Sequence, residues 1–147
     1  MWNTPTEKKK LTLEFIAGLI VGEGTFYWTK SRGSQWKTPS FALRMHVRDR
    51  ELVTMVRDSL GLTEKVHEYK HSGRHYVHLF IRHPGDLKNK LIPFIYPLLQ
   101  GYKLEQFIHW FHQFTDEDTA ENYKFIFQVF KKQFPELYIL RNVTTIT

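Results

Sequence analysis

Residues 13–24, LEFIAGLIVGEG, constrain the fold most, because they combine helical periodicity with glycines that an isolated helix would avoid. Leu13, Phe15, Ile16, Leu19 and Ile20 approximate one helical face. Thr12 and Glu14 suit a first turn, and Gly22 and Gly24 suit an end near residue 22. An internal glycine costs about 1 kcal/mol against alanine, so some contact must offset Gly18 and Gly22. Four residues apart, with Ala17 and Val21 beside them, they permit close backbone approach by a second helix. That helix belongs either to this chain, in a tight crossing, or to a second copy of it. Glu23 follows at the negative end of the helix dipole, where a carboxylate is unfavourable unless a cation is near. A divalent ion would remove the conflict, and hard oxygen donors such as this carboxylate and freed helix-end carbonyls suit Mg²⁺. Taken by itself, a solvent-exposed terminal glutamate is the plainer reading.

The remaining segments alternate between strand and helix patterns. Residues 25–32, TFYWTKSR, are β-branched and aromatic, and Gly33, Ser34 and Pro39 mark a long hairpin loop. Phe41, Leu43, Met45 and Val47 then alternate with Ala42, Arg44, His46 and Arg48, which gives one apolar and one basic face. Asp49 reads as the N-cap of a helix carrying Leu52, Val56 and Leu60 and stopped by Gly61. Residues 65–70 and 75–82 flank a second turn at 71–74. Pro84-Gly85-Asp86 opens a third helix with Leu87, Leu91 and Ile95, which Pro93 and Pro97 should bend or shorten. Leu104, Phe107, Phe111 and Phe114 continue at helical spacing, and Tyr123, Phe127 and Phe130 mark a further helix. The expected order is α-β-β-α-β-β-α plus C-terminal helices, an α+β fold in one domain. The helix–hairpin layout occurs at both 12–48 and 49–82, which is a common way to build a sheet rather than a sign of duplication.

Charge points toward the partner. The chain of 147 residues carries a formal charge of +6, and positions 25–48 hold Lys30, Arg32, Lys37, Arg44 and Arg48 with no acid. A solvated face would mix signs, whereas a basic two-stranded ribbon fits the DNA major groove and can meet both base edges and phosphates. No apolar run approaches the roughly 20 residues of a membrane-spanning helix, and the N-terminus lacks a signal-peptide core. The absence of cysteine excludes disulfides and thiolate metal sites. An intracellular protein, cytoplasmic or organellar and not secreted, is expected, which makes the sequon at 142–144 a chance match. The His71/His75 and His109/His112 pairs have zinc-like spacing, but the first straddles a turn and the second sits among aromatics.

With Phe15 before it and Thr25-Phe26 after it, IAGLIVGEG resembles the signature helix of the LAGLIDADG homing endonucleases. The helix and hairpin order and the segment Pro97-Leu98-Leu99-Gln100-Gly101-Tyr102-Lys103 extend the resemblance through about residue 114. It implies an αββαββα fold with an antiparallel four-stranded DNA-binding sheet. One domain over 1–147 is expected, with a core of about 11–114 and a helical extension of about 115–147. In that family the last acid of the motif is catalytic and holds metal, which falls on Glu23, assisted by the Gly22 carbonyl. Val21 stands where the family name has its first acid, a position that is not the metal ligand. A single motif implies a homodimer, with Ala17, Gly18, Val21 and Gly22 at the helix seam. The basic active-site residue after the third helix falls on Lys103, and a further polar position near the end of the second strand falls on Arg48 or Asp49. Groove-facing positions would be Tyr27, Thr29, Ser31, Arg44 and His46, then His67, Tyr69 and His75, with Phe26 and Trp28 turned to the core. Lys30, Arg32, Lys37 and Arg48 complete the expected DNA-binding set.

The activity so implied is that of an intron-encoded, site-specific endonuclease that makes a double-strand break in a long, near-palindromic site. It would hydrolyse phosphodiesters across the minor groove and leave 3′ overhangs. Mg²⁺ is the expected cofactor; Mn²⁺ or Ca²⁺ can substitute for binding, and Ca²⁺ is not expected to support cleavage. The alternative is an inactive member of the same fold, serving as an intron RNA maturase or a DNA-binding regulator, and only then would RNA be a partner. An unrelated basic structural protein would not explain two helix glycines followed by an acid.

Overall fold

The computed structural model describes residues 10–137, so the sequon at 142–144 lies outside the described residues. Helix α1 spans Leu13–Glu23, one residue beyond the expected end, and the Thr12 side chain caps it by accepting from the Phe15 N–H. Strand β1 (Gly24–Lys30) follows with no intervening loop. Gly24 makes that junction possible, because a Cβ there would stand 2.9 Å from both Ile20 Cγ2 and the Phe41 ring. Ser31 and Arg32 therefore fall in the turn after β1 rather than in the strand.

Strand β2 (Lys37–His46) starts earlier than its alternation suggested and takes in Pro39. A proline is tolerated there because β2 pairs with β1 over Lys37 to Leu43, but with β4 only from Phe41 onward. The outward edge of β2 at Lys37 meets residues 118–120 instead, through Lys37 N–H to the Asp118 carbonyl at 2.7 Å and Ala120 N–H to the Lys37 carbonyl at 2.9 Å. Pro39, two residues on, points its missing donor to that same side.

Helix α2 (Arg50–Leu60) ends at Gly61 with φ 70°, as expected of a glycine stop. Its start differs from expectation: Asp49 makes no capping bond. The tight turn Val47–Asp49 precedes it, capped by His46, whose side chain accepts from the Arg48 N–H. Strands β3 (Val66–His71) and β4 (Arg74–Ile81) form the second hairpin, closed by Ser72 at φ 51° and Gly73 at φ 78°. Positive φ at both central residues gives the twist a two-residue hairpin needs.

Residues 84–98 are helical with uneven pitch. Helix α3 (Pro84–Asp86) passes through a widened turn at Leu87–Leu91, where the Ile92 N–H reaches the Leu87 carbonyl, into α4 (Ile92–Ile95) and a tight turn at Tyr96–Leu98. Pro93 and Pro97 lack the N–H groups a regular helix would use there, so the chain stays helical by changing its hydrogen-bond step. Helices α5 (Gly101–His112) and α6 (Glu121–Gln133) complete the described chain.

The antiparallel sheet has the order β1-β2-β4-β3. Its inner face carries Phe26, Phe41, Leu43, Val77, Leu79 and Ile81, which join Ile16 and Ile20 of α1, Val53 and Val56 of α2, and Phe107 and Phe111 of α5 in one core. Tyr123, Ile126, Phe127 and Phe130 of α6 enter the same core. The segment after residue 114 is thus packed into the body of the fold as far as it is described.

Candidate functional site

The C-terminal end of α1 is held against α5 by side chains that reach backbone. The Phe26 N–H donates to Gln106 Oε1 at 3.0 Å, and Trp110 Nε1 donates to the Tyr27 carbonyl at 2.9 Å. Trp28 Nε1 returns the arrangement by donating to the Trp110 carbonyl at 3.1 Å. A continued helix would have sent the Phe26 N–H to the Gly22 carbonyl, so Gln106 leaves that oxygen without a backbone donor among the described residues.

Lys103, in the first turn of α5, reaches the same place. Its Nζ donates to the Gly24 carbonyl and, at 3.3 Å, to Gln106 Oε1. Burial pushes the Lys103 ammonium below its usual range. Lys103 is therefore bound to the backbone of Gly24, the residue next to Glu23, from 79 positions away in sequence. Gln106 Oε1 accepts from both the Phe26 N–H and Lys103, yet no motif marked it.

Glu23 is exposed and lines a cleft of about 520 Å³ with Arg44, His46, His71, Arg74 and Tyr76. His46 Nδ1 accepts the Arg48 N–H at 3.0 Å, which leaves Nε2 as its available nitrogen. The residue brought to this cleft from the end of the second strand is therefore His46; Arg48 and Asp49 lie in the turn beyond and do not line it. Among the described residues no group of three or more histidines, aspartates and glutamates could hold a metal.

The outer face of the sheet is set by register. Tyr27 and Thr29 of β1, Arg44 and His46 of β2, His67 and Tyr69 of β3, and Tyr76, His78 and Phe80 of β4 share it, with no carboxylate at these positions. Arg44 lies over the Tyr76 ring at 4.7 Å and Arg82 over Phe80 at 4.5 Å. Tyr69 stacks on Tyr76 at 5.6 Å, and Tyr27 approaches Phe80 at 6.0 Å. Burial raises the Tyr27 phenol above its usual range, and Arg82 and Arg44 temper the effect. Burial pushes the His78 imidazole below its usual range, aided by Arg44 and His67. The Thr29 hydroxyl is shared with Thr38 at 2.9 Å.

Three residues of the expected DNA-binding set, Lys30, Lys37 and His75, follow the opposite parity. Lys37 follows the inner parity, covers Trp28 at 4.9 Å, and is bound by Asp116 at 2.7 Å and Asp118 at 3.3 Å, which leaves its side chain 12% exposed. His75 shares parity with Val77 and meets Glu68 at 2.6 Å, and Glu68 in turn holds Arg50 at 2.8 Å. Lys30 ends β1 on the inner parity but is exposed, as are Ser31, Arg32 and Arg48 in their turns. Tyr76, His78, Phe80 and Arg82 went unmarked. The period of Val77, Leu79 and Ile81 could have found them, but the aromatic residues on the other face blur it.

The glycine face of α1 is open. A Cβ at Gly18 or Gly22 would meet nothing within 4 Å, and Phe15 is 49% exposed. No described helix crosses there, so the expected intrachain crossing is not found among the described residues. Ala17, 2% exposed, faces its own core instead of this surface, and Val21 is partly buried against that core. A groove of about 280 Å³ runs beside the glycines, lined by Glu14, Gly18, Val21, Leu98 and Gln100.

Residues 16–114 match the sequence profile of a family described as LAGLIDADG endonuclease. No curated protein sequence matches the chain. Among solved structures, it resembles the LAGLIDADG homing endonuclease I-GzeII in complex with its DNA target, with a TM-score of 0.63 and 24% identity over 88% of this chain and 47% of that one. It also resembles the homing endonuclease I-TnaI, with a TM-score of 0.59 and 21% identity over 84% of this chain and 88% of that one. I-SmaMI, bound to an uncleaved DNA target in the presence of calcium ions, gives a TM-score of 0.61 and 20% identity over 86% of this chain and 47% of that one. The chain therefore spans about half the length of I-GzeII and I-SmaMI, and most of I-TnaI. At these identities the likeness shows the fold.

Proposed function

The chain belongs to the LAGLIDADG endonuclease family, and from that premise we propose that it is a homodimeric, metal-dependent homing endonuclease that breaks both strands of a near-palindromic DNA site. The observation that carries this reading is the redirected Phe26 N–H: it leaves the Gly22 carbonyl unclaimed beside Glu23, with Lys103 at the same helix end. A carboxylate and a carbonyl are donors that suit Mg²⁺, which keeps waters and phosphate oxygens for the rest of its shell. When bound, the ion would supply a nucleophilic water at neutral pH and stabilise charge on the phosphate.

The residues of this chain have separable tasks. Glu23 and the Gly22 carbonyl hold the ion. Lys103, partly desolvated, places positive charge beside the reacting phosphate, where a water-poor setting strengthens it. His46 Nε2 faces solvent chemistry within the Glu23 cleft and can take a proton from the attacking water. Arg74 brings positive charge to the same cleft to anchor the backbone. The open outer face lies along the major groove, with Tyr27, Thr29, Arg44, His46, His67 and Tyr69 toward the bases.

The uncovered glycine face is the seam. Two copies of α1 packed through Gly18 and Gly22 would bring their Glu23 ends together near the dyad, and Phe15 would be covered. This is the gain that offsets the propensity cost of the glycines. DNA-bound I-GzeII and I-SmaMI, each about twice this length, support a unit that works as one half of an endonuclease.

Cleavage of a plasmid library with Mg²⁺ tests the proposal. Glu23→Gln should cut about 10³-fold more slowly, since a bound metal contributes several kcal/mol to the transition state, while binding in Ca²⁺ persists. Equal cutting by both proteins sinks the assignment. Sedimentation on DNA should give two chains per site, and a monomer alone would remove the shared active site.

A further inference from the structure

The described arginines divide by what answers them. Arg50 and Arg57 are bound by carboxylates, Glu68 at 2.8 Å and Asp58 at 2.9 Å. Arg44 and Arg82 have no carboxylate within 4.0 Å among the described residues and lie instead over Tyr76 and Phe80. A ring beneath a guanidinium fixes its plane without using its N–H groups, so the donor fork stays free and part of its ordering entropy is already spent. Arg44 arises from β2 and Arg82 directly follows β4, and the rings that hold both guanidiniums stand on β4, a central strand whose outer face would lie along the floor of a groove. Arg32, Arg48 and Arg74 stand at strand ends or in turns, where the phosphate walls of a groove would run.

A free, planar fork over the groove floor matches one base edge best: guanine presents O6 and N7 as paired acceptors in the major groove. The spacing follows from the strand. Tyr76 and Phe80 are four residues apart on β4, about 13 Å at roughly 3.3 Å per residue. Duplex DNA rises about 3.4 Å per base pair, so the two forks stand about four pairs apart.

We propose that Arg44 and Arg82 read two guanines spaced about four base pairs apart in each half of the target site. This rests on the duplex-DNA reading above and assigns its base specificity. The test selects bound duplexes from a randomised library with the full chain in Ca²⁺. The wild type should enrich two guanines at that spacing, repeated in inverted orientation. Arg44→Lys keeps the charge and loses the fork, so it should lower discrimination at one of these positions by roughly tenfold and spare the other. Arg82→Lys should do the converse. Arg48→Ala should weaken all sequences alike and reduce the salt slope by about one. Phe80→Leu, which keeps Arg82 and removes its ring, should blunt the Arg82 position in part. Unchanged guanine preference in both lysine variants, with binding retained, overturns this inference alone. Failure of the wild type to bind any duplex overturns the nuclease reading and this one with it.

Discussion

The two faces of the sheet handle positive charge in opposite ways. On the inner face, Lys37 meets Asp116 and Asp118, and His75 meets Glu68. On the outer face, Arg44 and His78, which pair directly across β2 and β4, meet rings and no acid. Sequence neighbours such as His75 and Tyr76 fall on different sides of this division. Lys37 and His75 are thus clamped by carboxylates while Arg44 is left free of them among the described residues, and local charge density does not tell the two cases apart.

The largest difference should appear in stability. Leu43→Ala and Leu79→Ala, at fully buried inner positions, should each cost about 2–5 kcal/mol in denaturant unfolding. Tyr69→Ala, at an exposed outer position, should cost less than about 1 kcal/mol. A tyrosine as costly as the leucines would mean that the outer face is core. A smaller difference separates the cations. Arg44→Ala should reduce DNA affinity by roughly tenfold with little loss of stability, whereas Lys37→Ala should cost about 1 kcal/mol of stability and leave affinity unchanged. The reverse ranking would break the comparison.

The smallest effect is a titration. Glu68 is held below the usual glutamate range, chiefly by its hydrogen bond to His75, against an opposing effect of burial, and further by Arg50. Its pairing is therefore present above the ordinary glutamate value and lost as pH falls through the lowered one. His75→Ala should return the Glu68 carboxyl toward its ordinary range in an NMR titration, and His78→Ala, on the other face, should not.

Much of this was readable along the chain, and the reasons differ by residue. The α1 signature, the alternation from Phe41 to His46 and the Gly61 stop are local patterns, fixed by helical and strand periods acting over a few residues. They gave the element order and Glu23. Lys103 came through resemblance, and the fold then placed it against the Gly24 carbonyl. The face of Lys37 was not legible, because its acidic partners lie some eighty residues later in a segment that docks on the β2 edge. The parity of His75 was hidden by Tyr76 and Phe80, large apolar residues on the outer face of β4. Neither Gln106 nor the stacked Arg82 carries any local signal.

What the sequence determined by itself was the periodicity of each element, the helix with two glycines and a closing acid, and a net positive charge. What only the tertiary structure decided was which side of each strand meets helices, which donor the Phe26 N–H finds, and that the glycine face of α1 is left bare. The physical reason is that period is a property of neighbouring residues, whereas burial, hydrogen-bond partners and uncovered surface depend on segments that meet only after folding.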